Sequence, residues 1–236
     1  MEHFYRIADL DIQMIFHEAY TGLLCQDYED HTIGKPCIIL KSHFEELKND
    51  FRNWSEKELA TLEFYSLGAD LSQQMLNYEA VCLHASAVVY KGFAYLFSAP
   101  SGTGKSTHTR AWLKVFGSQA KILNDDKPII RLSENSAVVW GNPWQGKDNV
   151  GYNGHAQAGG ICILRRGDKN FIQKLSPKNA AAEILSQTLI PEDDELLEKE
   201  LRIIEAILRV TPVWKMECTP TSEAAEIAYQ AMSQRT

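Results

Sequence analysis

The sequence predicts an α/β protein built on a mixed sheet with hairpins and some α+β character, preceded by a small β-rich region. Three observations carry this expectation. An apolar run, Phe93-Ala94-Tyr95-Leu96-Phe97, leads into a glycine-containing loop and then into a helical pattern, giving the order strand, loop, helix. Pairs of apolar runs separated by turn residues recur along the chain, and consecutive hairpins are antiparallel, which a purely parallel doubly wound sheet does not accommodate. The C-terminal third places apolar residues at helical spacing.

Residues 1 to about 45 read as short strands. Leu10, Ile12, Met14 and Phe16 alternate with polar or smaller neighbours, and Pro36-Cys37-Ile38-Ile39-Leu40 is a compact apolar run. Ser55-Glu56-Lys57-Glu58 is a capping-box pattern opening a helix with Leu59, Leu62, Leu71 and Met75 among its apolar positions, which Gly68 is expected to bend or interrupt. From Val81 to Phe97 a hairpin is expected, with one strand near Leu83 to Tyr90 and a turn at Lys91-Gly92. A second hairpin spans Ile129 to Trp140, with Ser133-Glu134-Asn135-Ser136 at its tip. A third is expected to pair Gly160 to Leu164 with Asn170 to Leu175 across Arg165-Arg166-Gly167-Asp168.

After Pro191, Leu197, Leu201, Ile204 and Leu208 form one apolar stripe; a strand follows at Val213 to Cys218, and a last helix buries Ala224, Ile227, Ala228 and Ala231. Residues 1–50 are thus expected as an N-terminal β-rich subregion and 51–236 as the core with C-terminal helices, the two forming one compact unit.

Composition limits the function classes. With 236 residues the chain buries a sizeable core, but hardly two large domains. A net charge of −7 with scattered Lys and Arg argues against nucleic acid as a partner. The five cysteines are odd in number and widely spaced, so neither a disulfide framework nor a zinc site is expected. Met1-Glu2-His3-Phe4-Tyr5-Arg6 is neither basic nor followed by a signal-type apolar run, and no stretch reaches membrane-spanning length, so a cytoplasmic location without membrane partners is expected.

The chemistry concentrates at Ala99-Pro100-Ser101-Gly102-Thr103-Gly104-Lys105-Ser106, a phosphate-binding loop in all but its first residue, where Ala replaces Gly. Ser101, Gly102, Thr103 and Gly104 bring backbone N–H groups toward one point. Lys105 supplies a compact positive charge for the phosphates and Ser106 a hydroxyl for Mg²⁺, while Thr107 opens the following helix, whose N-terminus favours an anion. A nucleoside triphosphate, ATP with Mg²⁺, is the expected cofactor.

About twenty residues beyond, Lys121-Ile122-Leu123-Asn124-Asp125-Asp126 brings two adjacent carboxylates to a strand end. Asp125 and Asp126 read as a metal ligand and a proton acceptor of a phosphoryl-transfer site, or as a solvated turn before Pro128. Gly141-Asn142-Pro143-Trp144-Gln145-Gly146-Lys147 is either a loop over an acceptor pocket or a connection with Trp144 packed inward. Asn153 and His155 are candidates for the same cleft, and Arg165 or Arg166 either neutralises phosphoryl charge or caps a solvated hairpin.

From Leu83-His84-Ala85-Ser86-Ala87 through the hairpin and loop to Asp125-Asp126, the chain resembles the HPr kinase/phosphorylase family and the nucleotide domain of phosphoenolpyruvate carboxykinases. The resemblance implies a P-loop kinase fold of that type. It also implies that the aspartates act as base and metal ligand and that His84 lies near the phosphates. Read from the residues alone, His84 is equally a hydrogen-bonded core histidine. Thr107 stands where HPr kinases carry Glu, and their second, Arg- and Glu-containing signature is absent, which argues against HPr as substrate.

The expected activity is therefore an ATP- and Mg²⁺-dependent phosphotransferase with Lys105, Asp125, Asp126 and His84 as catalytic residues. Its acceptor is a hydroxyl on an unknown small molecule, peptide or protein. The rival expectations are a nucleotide-binding regulatory or accessory protein acting through a partner, and a guanylate-kinase-like enzyme.

Overall fold

The computed structural model describes residues 1–51 and 53–234. β1 (Glu2–Ile7) and β2 (Leu10–Ile15) form a hairpin whose two-residue turn holds Ala8 and Asp9 at φ of 52° and 60°, the left-handed pair that matches strand twist. The alternation read from the sequence is realised, with Leu10, Ile12, Met14 and Phe16 all buried. After α1 (Ala19–Cys25), β3 (Ile38–Lys41) lies parallel to β2 and completes a three-stranded sheet. α1 and α2 (Phe44–Asp50), seven residues each, are too short to show a helical period, and the sequence pattern does not reveal them.

α3 (Glu56–Met75) begins at the expected capping box: the Glu58 amide donates to Ser55 Oγ and the Ser55 amide to Glu58 Oε2. Its buried face, including Phe64, Leu67, Leu71 and Met75, packs on the N-terminal sheet. Glu63 on that face is fully buried and accepts the amides of His17 and Glu18 at 2.8 Å each, which satisfies the carboxylate and fixes the start of α1. Gly68 does not interrupt the helix. A Cβ there would sit 2.4 Å from Trp144 Nε1, so the glycine makes room for an indole that donates to Phe64 O at 2.8 Å.

β4 (Ala80–Cys82), β5 (Ala85–Tyr90), β6 (Phe93–Ser98), α4 (Lys105–Phe116) and β7 (Ala120–Asn124) follow. The strand expected over Leu83 to Tyr90 is shorter at its start. Leu83 and His84 instead form a crossover, because β4 pairs with β8 (Ile129–Ser133) while β5 pairs with β6 and β7. β8 and β9 (Ser136–Trp140) make the expected second hairpin.

β10 (His155–Arg166) is long enough to serve three neighbours. β6 runs parallel along one edge; β9 takes the first residues of the other. β12 (Val213–Cys218) pairs in parallel with Ile161–Arg166 on that second edge. The expected third hairpin is thereby corrected: β11 (Phe171–Leu175) pairs antiparallel with β12 and not with β10. A strand some forty residues later in sequence occupies the edge that β11 would have taken. Gly159 and Gly160 form the bulge that bends β10, and Gly160, at φ of 155°, lies where any Cβ would meet the Trp214 ring at 2.4 Å.

The central strands of this nine-stranded mixed sheet, β5, β6 and the second half of β10, are buried on both faces and apolar. Leu96, Ile161 and Ile163 face α5 (Pro177–Leu185) and α6 (Asp194–Val210); Phe97, Cys162 and Leu164 face α4 and α7 (Ser222–Met232). The stripe of α6 differs from the expected one. Its buried positions are Glu200, Ile203, Ile204, Ile207 and Leu208, whereas Leu201 is exposed, because a buried glutamate masks where the inward face begins. In α7 the inward residues are Ala224, Ala225, Ala228 and Met232, with Ile227 and Ala231 only partly covered.

β6 and β7 both run antiparallel to β5 and so parallel to each other; β10 and β12 share that direction. Their carboxyl ends lie at one end of the sheet, where β5 begins. That geometry brings the loop after β6, the acids after β7, His84 before β5, and the segments after β10 and β12 together.

Candidate functional site

The loop leaves β6 at Ser98 and enters α4 at Lys105. Gly102 and Gly104 hold φ of 75° and 119°, and a Cβ at either would meet nothing within 4 Å. The glycines are therefore required by backbone conformation, not by crowding. Ala99, the departure from consensus, is buried among aromatic residues and is not among the residues of positive φ, so its methyl costs no backbone strain. Arg166 braces the outer side of the loop: Nη2 donates to Gly102 O at 2.5 Å and Nε to Thr103 O at 3.4 Å. Arg165 turns away and pairs with Glu183 of α5.

Lys105 is largely buried, and its Nζ donates to Ala99 O at 3.0 Å and to His84 Nε2 at 2.9 Å. Burial pulls the lysine below its usual pKa, and the carboxylates of Asp126 and Asp125 act against that pull. His84 Nδ1 faces Gln187 Oε1 at 3.3 Å, and its amide donates to Gln187 O at 2.8 Å. Burial first, then the charge of Lys105, lowers the imidazole pKa, so His84 is neutral at pH 7. With Gln187 Oε1 as acceptor, Nδ1 carries the proton and Nε2 presents its lone pair to Lys105.

The acids follow β7 as expected. Asp125 is nearly buried; Ser86 Oγ donates to its Oδ1 at 2.5 Å and lies 3.0 Å from the Thr109 hydroxyl of α4. Asp126 is more open, with Oδ1 3.5 Å from His84 Nε2. The turn that presents them is built by Asn124, which is fully buried. Its Oδ1 accepts the amides of Asp126 at 3.0 Å and Lys127 at 2.8 Å, an Asx turn. Its Nδ2 donates to Asn142 O at 3.1 Å, with Asn142 Oδ1 and Trp144 O each at 3.3 Å. Asn142 in turn donates to Lys127 O at 2.5 Å and accepts the Trp144 amide at 2.9 Å. Neither asparagine was singled out by the sequence pattern, because buried and solvated asparagines look alike in a string of letters.

Loop residues, Lys105, Ser106, Thr107, His84, Asp125 and Asp126 line one cleft of about 530 Å³, with Arg110, Gly146, Lys147 and Asp148 at its rim. Arg110 pairs with Asp148 across that rim. The 141–147 segment packs Trp144 inward, stacked on Phe64 at 5.2 Å between centroids, while Gly146 and Lys147 reach the cleft. Asn153 and His155 do not line the cleft. Asn153 Nδ2 donates to Asp27 O, and His155 lies against Trp140, both on the side of the N-terminal sheet.

Two further hollows adjoin. One of about 430 Å³ shares Gly102, Gly104 and Thr107 with the cleft and runs between α4, Arg166 and the Cys218 to Thr221 segment. Another of about 300 Å³ shares Tyr65 and His84 and opens between α3 and the Ser186 to Leu189 turn. Chemically, the cleft brings together the backbone of the glycine loop, a lysine, the Ser106 and Thr107 hydroxyls and two acids.

No protein-family model matches the chain, and no curated protein sequence matches it. Among solved structures, the Hpr(Ser) kinase/phosphatase from Coxiella burnetii is similar at 15% identity and a TM-score of 0.32, over 54% of this chain and 93% of that one. The likeness is distant and partial. Among the described residues, no helix is long and apolar enough to cross a membrane.

Proposed function

We propose that the chain is an ATP- and Mg²⁺-dependent phosphotransferase of the P-loop kinase type, moving a γ-phosphoryl group to a hydroxyl. The observation that carries this reading is the convergence of the Gly102 to Ser106 loop, Lys105, His84 and the Asp125-Asp126 pair around a single cleft. A chance glycine-rich turn has no reason to face two acids delivered by another strand.

In this reading the loop amides and the N-terminus of α4 hold the phosphates, and the Lys105 ammonium exchanges Ala99 O for a phosphate oxygen. The nucleoside half extends into the adjoining hollow beside His108 and Thr219. Mg²⁺ fits the donor set. Ser106 and the aspartates supply hard oxygens, and among the described residues there is no cluster of three His, Cys, Asp or Glu that would close a protein-only shell, as suits an ion that keeps water and phosphate ligands. When bound, Mg²⁺ offsets phosphate charge.

The two acids divide the work by environment. Asp125, buried and held by Ser86, faces the loop and is the fixed ligand; Asp126, more open and beside His84, takes the proton of the acceptor hydroxyl as its oxygen attacks the γ-phosphorus and ADP leaves.

The test compares wild type with Lys105→Ala and Asp126→Asn for ATP-dependent phosphorylation of candidate acceptors, alongside a thermal-shift panel of nucleotides with and without Mg²⁺. Loss of transfer in both variants, with nucleotide binding kept by Asp126→Asn, is expected. Equal transfer in all three proteins overturns the assignment.

A further inference from the structure

We infer that the smaller hollow between α3 and the Ser186 to Leu189 turn is the acceptor site, and that it takes a small hydroxylated organic acid whose carboxylate pairs with Lys127. This inference rests on the phosphotransferase reading for its role, while the binding chemistry stands on the hollow itself.

Position comes first. The hollow and the phosphate cleft share two walls, Tyr65 and His84, and His84 Nε2 lies 3.5 Å from Asp126 Oδ1. A ligand seated there has its nearest route to the acids past these two rings. At about 300 Å³ the hollow sits at the lower end for small-molecule sites and has no room for a folded protein segment.

Charge comes second. Lys127 lines the hollow, and among the described residues its ammonium has no ion-pair partner. Its charge is felt by Lys105 and His84, both of which it pushes down, and by the Cys82 thiol. Burial holds the Glu200 carboxyl above the usual range, toward the neutral form, while Asp125 and Asp126, the residues just before Lys127, line the phosphate cleft. A lysine without an ion-pair partner, within reach of the Lys105 charge and in a partly enclosed space, favours an anion.

Hydrogen bonding comes third. The lining hydroxyls of Ser72, Ser186 and Thr188 each give their proton to a carbonyl of their own segment: Gly68 O, Glu183 O and Leu185 O. Ser186 Oγ also accepts from Gln187 Nε2 at 3.3 Å, so it is chiefly Ser72 and Thr188 that leave oxygen lone pairs for a ligand's hydroxyl donors. Acceptors for hydroxyls beside one free ammonium describe a polyhydroxy acid better than a neutral sugar or a polycation.

The test uses the full chain with and without AMP-PNP and Mg²⁺. Glycerate, threonate and gluconate are titrated calorimetrically against their neutral counterparts glycerol, threitol and sorbitol. At least one acid is expected to bind saturably and at least tenfold more tightly than its counterpart. Lys127→Met should weaken that acid at least tenfold, and by more than it weakens AMP-PNP; Lys127→Arg should restore the acid to within about threefold. Failure of every acid to bind, equal binding of acid and polyol, or an unchanged affinity in Lys127→Met overturns the inference even where AMP-PNP binds normally. Phosphorylation of proteins with no acid bound does the same. If AMP-PNP fails to bind wild type, the phosphotransferase reading falls, and the acid site is judged by the titrations without nucleotide.

Discussion

Replacing Asn124 by alanine tests whether the acid pair is held by its turn or merely follows a strand. The side chain is fully buried and supplies an acceptor to two amides, at 3.0 and 2.8 Å, and a donor shared among three oxygens at 3.1 to 3.3 Å. Alanine leaves the part-buried amides of Asp126 and Lys127, and the buried carbonyl of Asn142, without the partner they now have. At about 1 kcal/mol net for each hydrogen bond lost, the expected destabilisation is about 3 kcal/mol. For a chain of this size that is a fall in Tm of about 6–12 °C. Urea unfolding and calorimetry of wild type, Asn124→Ala, Asn142→Ala and the double variant supply the measurement. Because the two asparagines share a bond, the double variant should lose less than the sum of the singles, by about 0.5 kcal/mol or more. A loss below about 1 kcal/mol for Asn124→Ala, or strict additivity, would refute the network. Phosphate transfer should fall further than stability explains, since Asp126 loses the acceptor for its amide.

The remaining predictions follow from single positions. Gly104→Ala, at φ of 119°, should cost about 1–3 kcal/mol and weaken Mg-ATP at least tenfold in a titration, whereas Ala99→Gly should leave nucleotide affinity within threefold. Gly68→Ala reverses the usual gain of alanine in a helix: with Trp144 Nε1 2.4 Å from the new Cβ, a loss of about 1–3 kcal/mol and a red-shifted tryptophan emission are expected, and a stabilised variant would contradict the packing. His108 is buried against Phe97 and accepts from Trp112 Nε1 at 3.3 Å, and burial lowers its pKa from 6.5 to about 4. Between those values the unfolded chain binds a proton that the folded protein does not. Stability present above pH 6.5 is therefore lost as pH falls toward 4, by up to about 3 kcal/mol. His108→Gln, which keeps an acceptor for Trp112, should flatten the urea midpoint over that window, and an unchanged slope would count against the assignment. A nucleotide at a hundredfold excess over its dissociation constant should add about 2.7 kcal/mol to wild type and much less to Lys105→Ala.

What the sequence reveals depends on how local the cause is. The strand, loop and helix order around Gly102 to Lys105, the capping box at Ser55 and the Ile129 to Trp140 hairpin are each encoded within a few neighbouring residues, and the backbone follows all three. The hairpin expected after Gly160 fails because its partner edge is taken by β12, a choice made by packing and invisible to turn chemistry. The face of α6 is misread because Glu200 is buried, and a charged residue ordinarily marks the outward side. His84 is legible as a candidate but not as a crossover residue, since only the pairing of β4 with β8 pulls it off the strand. Asn124, Asn142 and the bracing by Arg166 carry no sequence pattern at all.

The surroundings of His84 bear on what spacing left open. The resemblance placed a histidine near the phosphates, which invites reading it as a cation for them. Its surroundings oppose that role. Burial, and then the charge of Lys105, disfavour the imidazolium against the pull of Asp126, and Gln187 Oε1 favours the proton on Nδ1. A neutral ring with its Nε2 lone pair on Lys105 does something else: it orients the ammonium, by a bond of 2.9 Å, toward the loop carbonyl and the cleft. The same ring forms the wall between the phosphate cleft and the hollow lined by Lys127. Its neutrality keeps a third positive charge out of a site where the charge of Lys127 already acts on Lys105. Under the proposed mechanism the histidine is then a positioning residue for lysine, and proton transfer falls to Asp126.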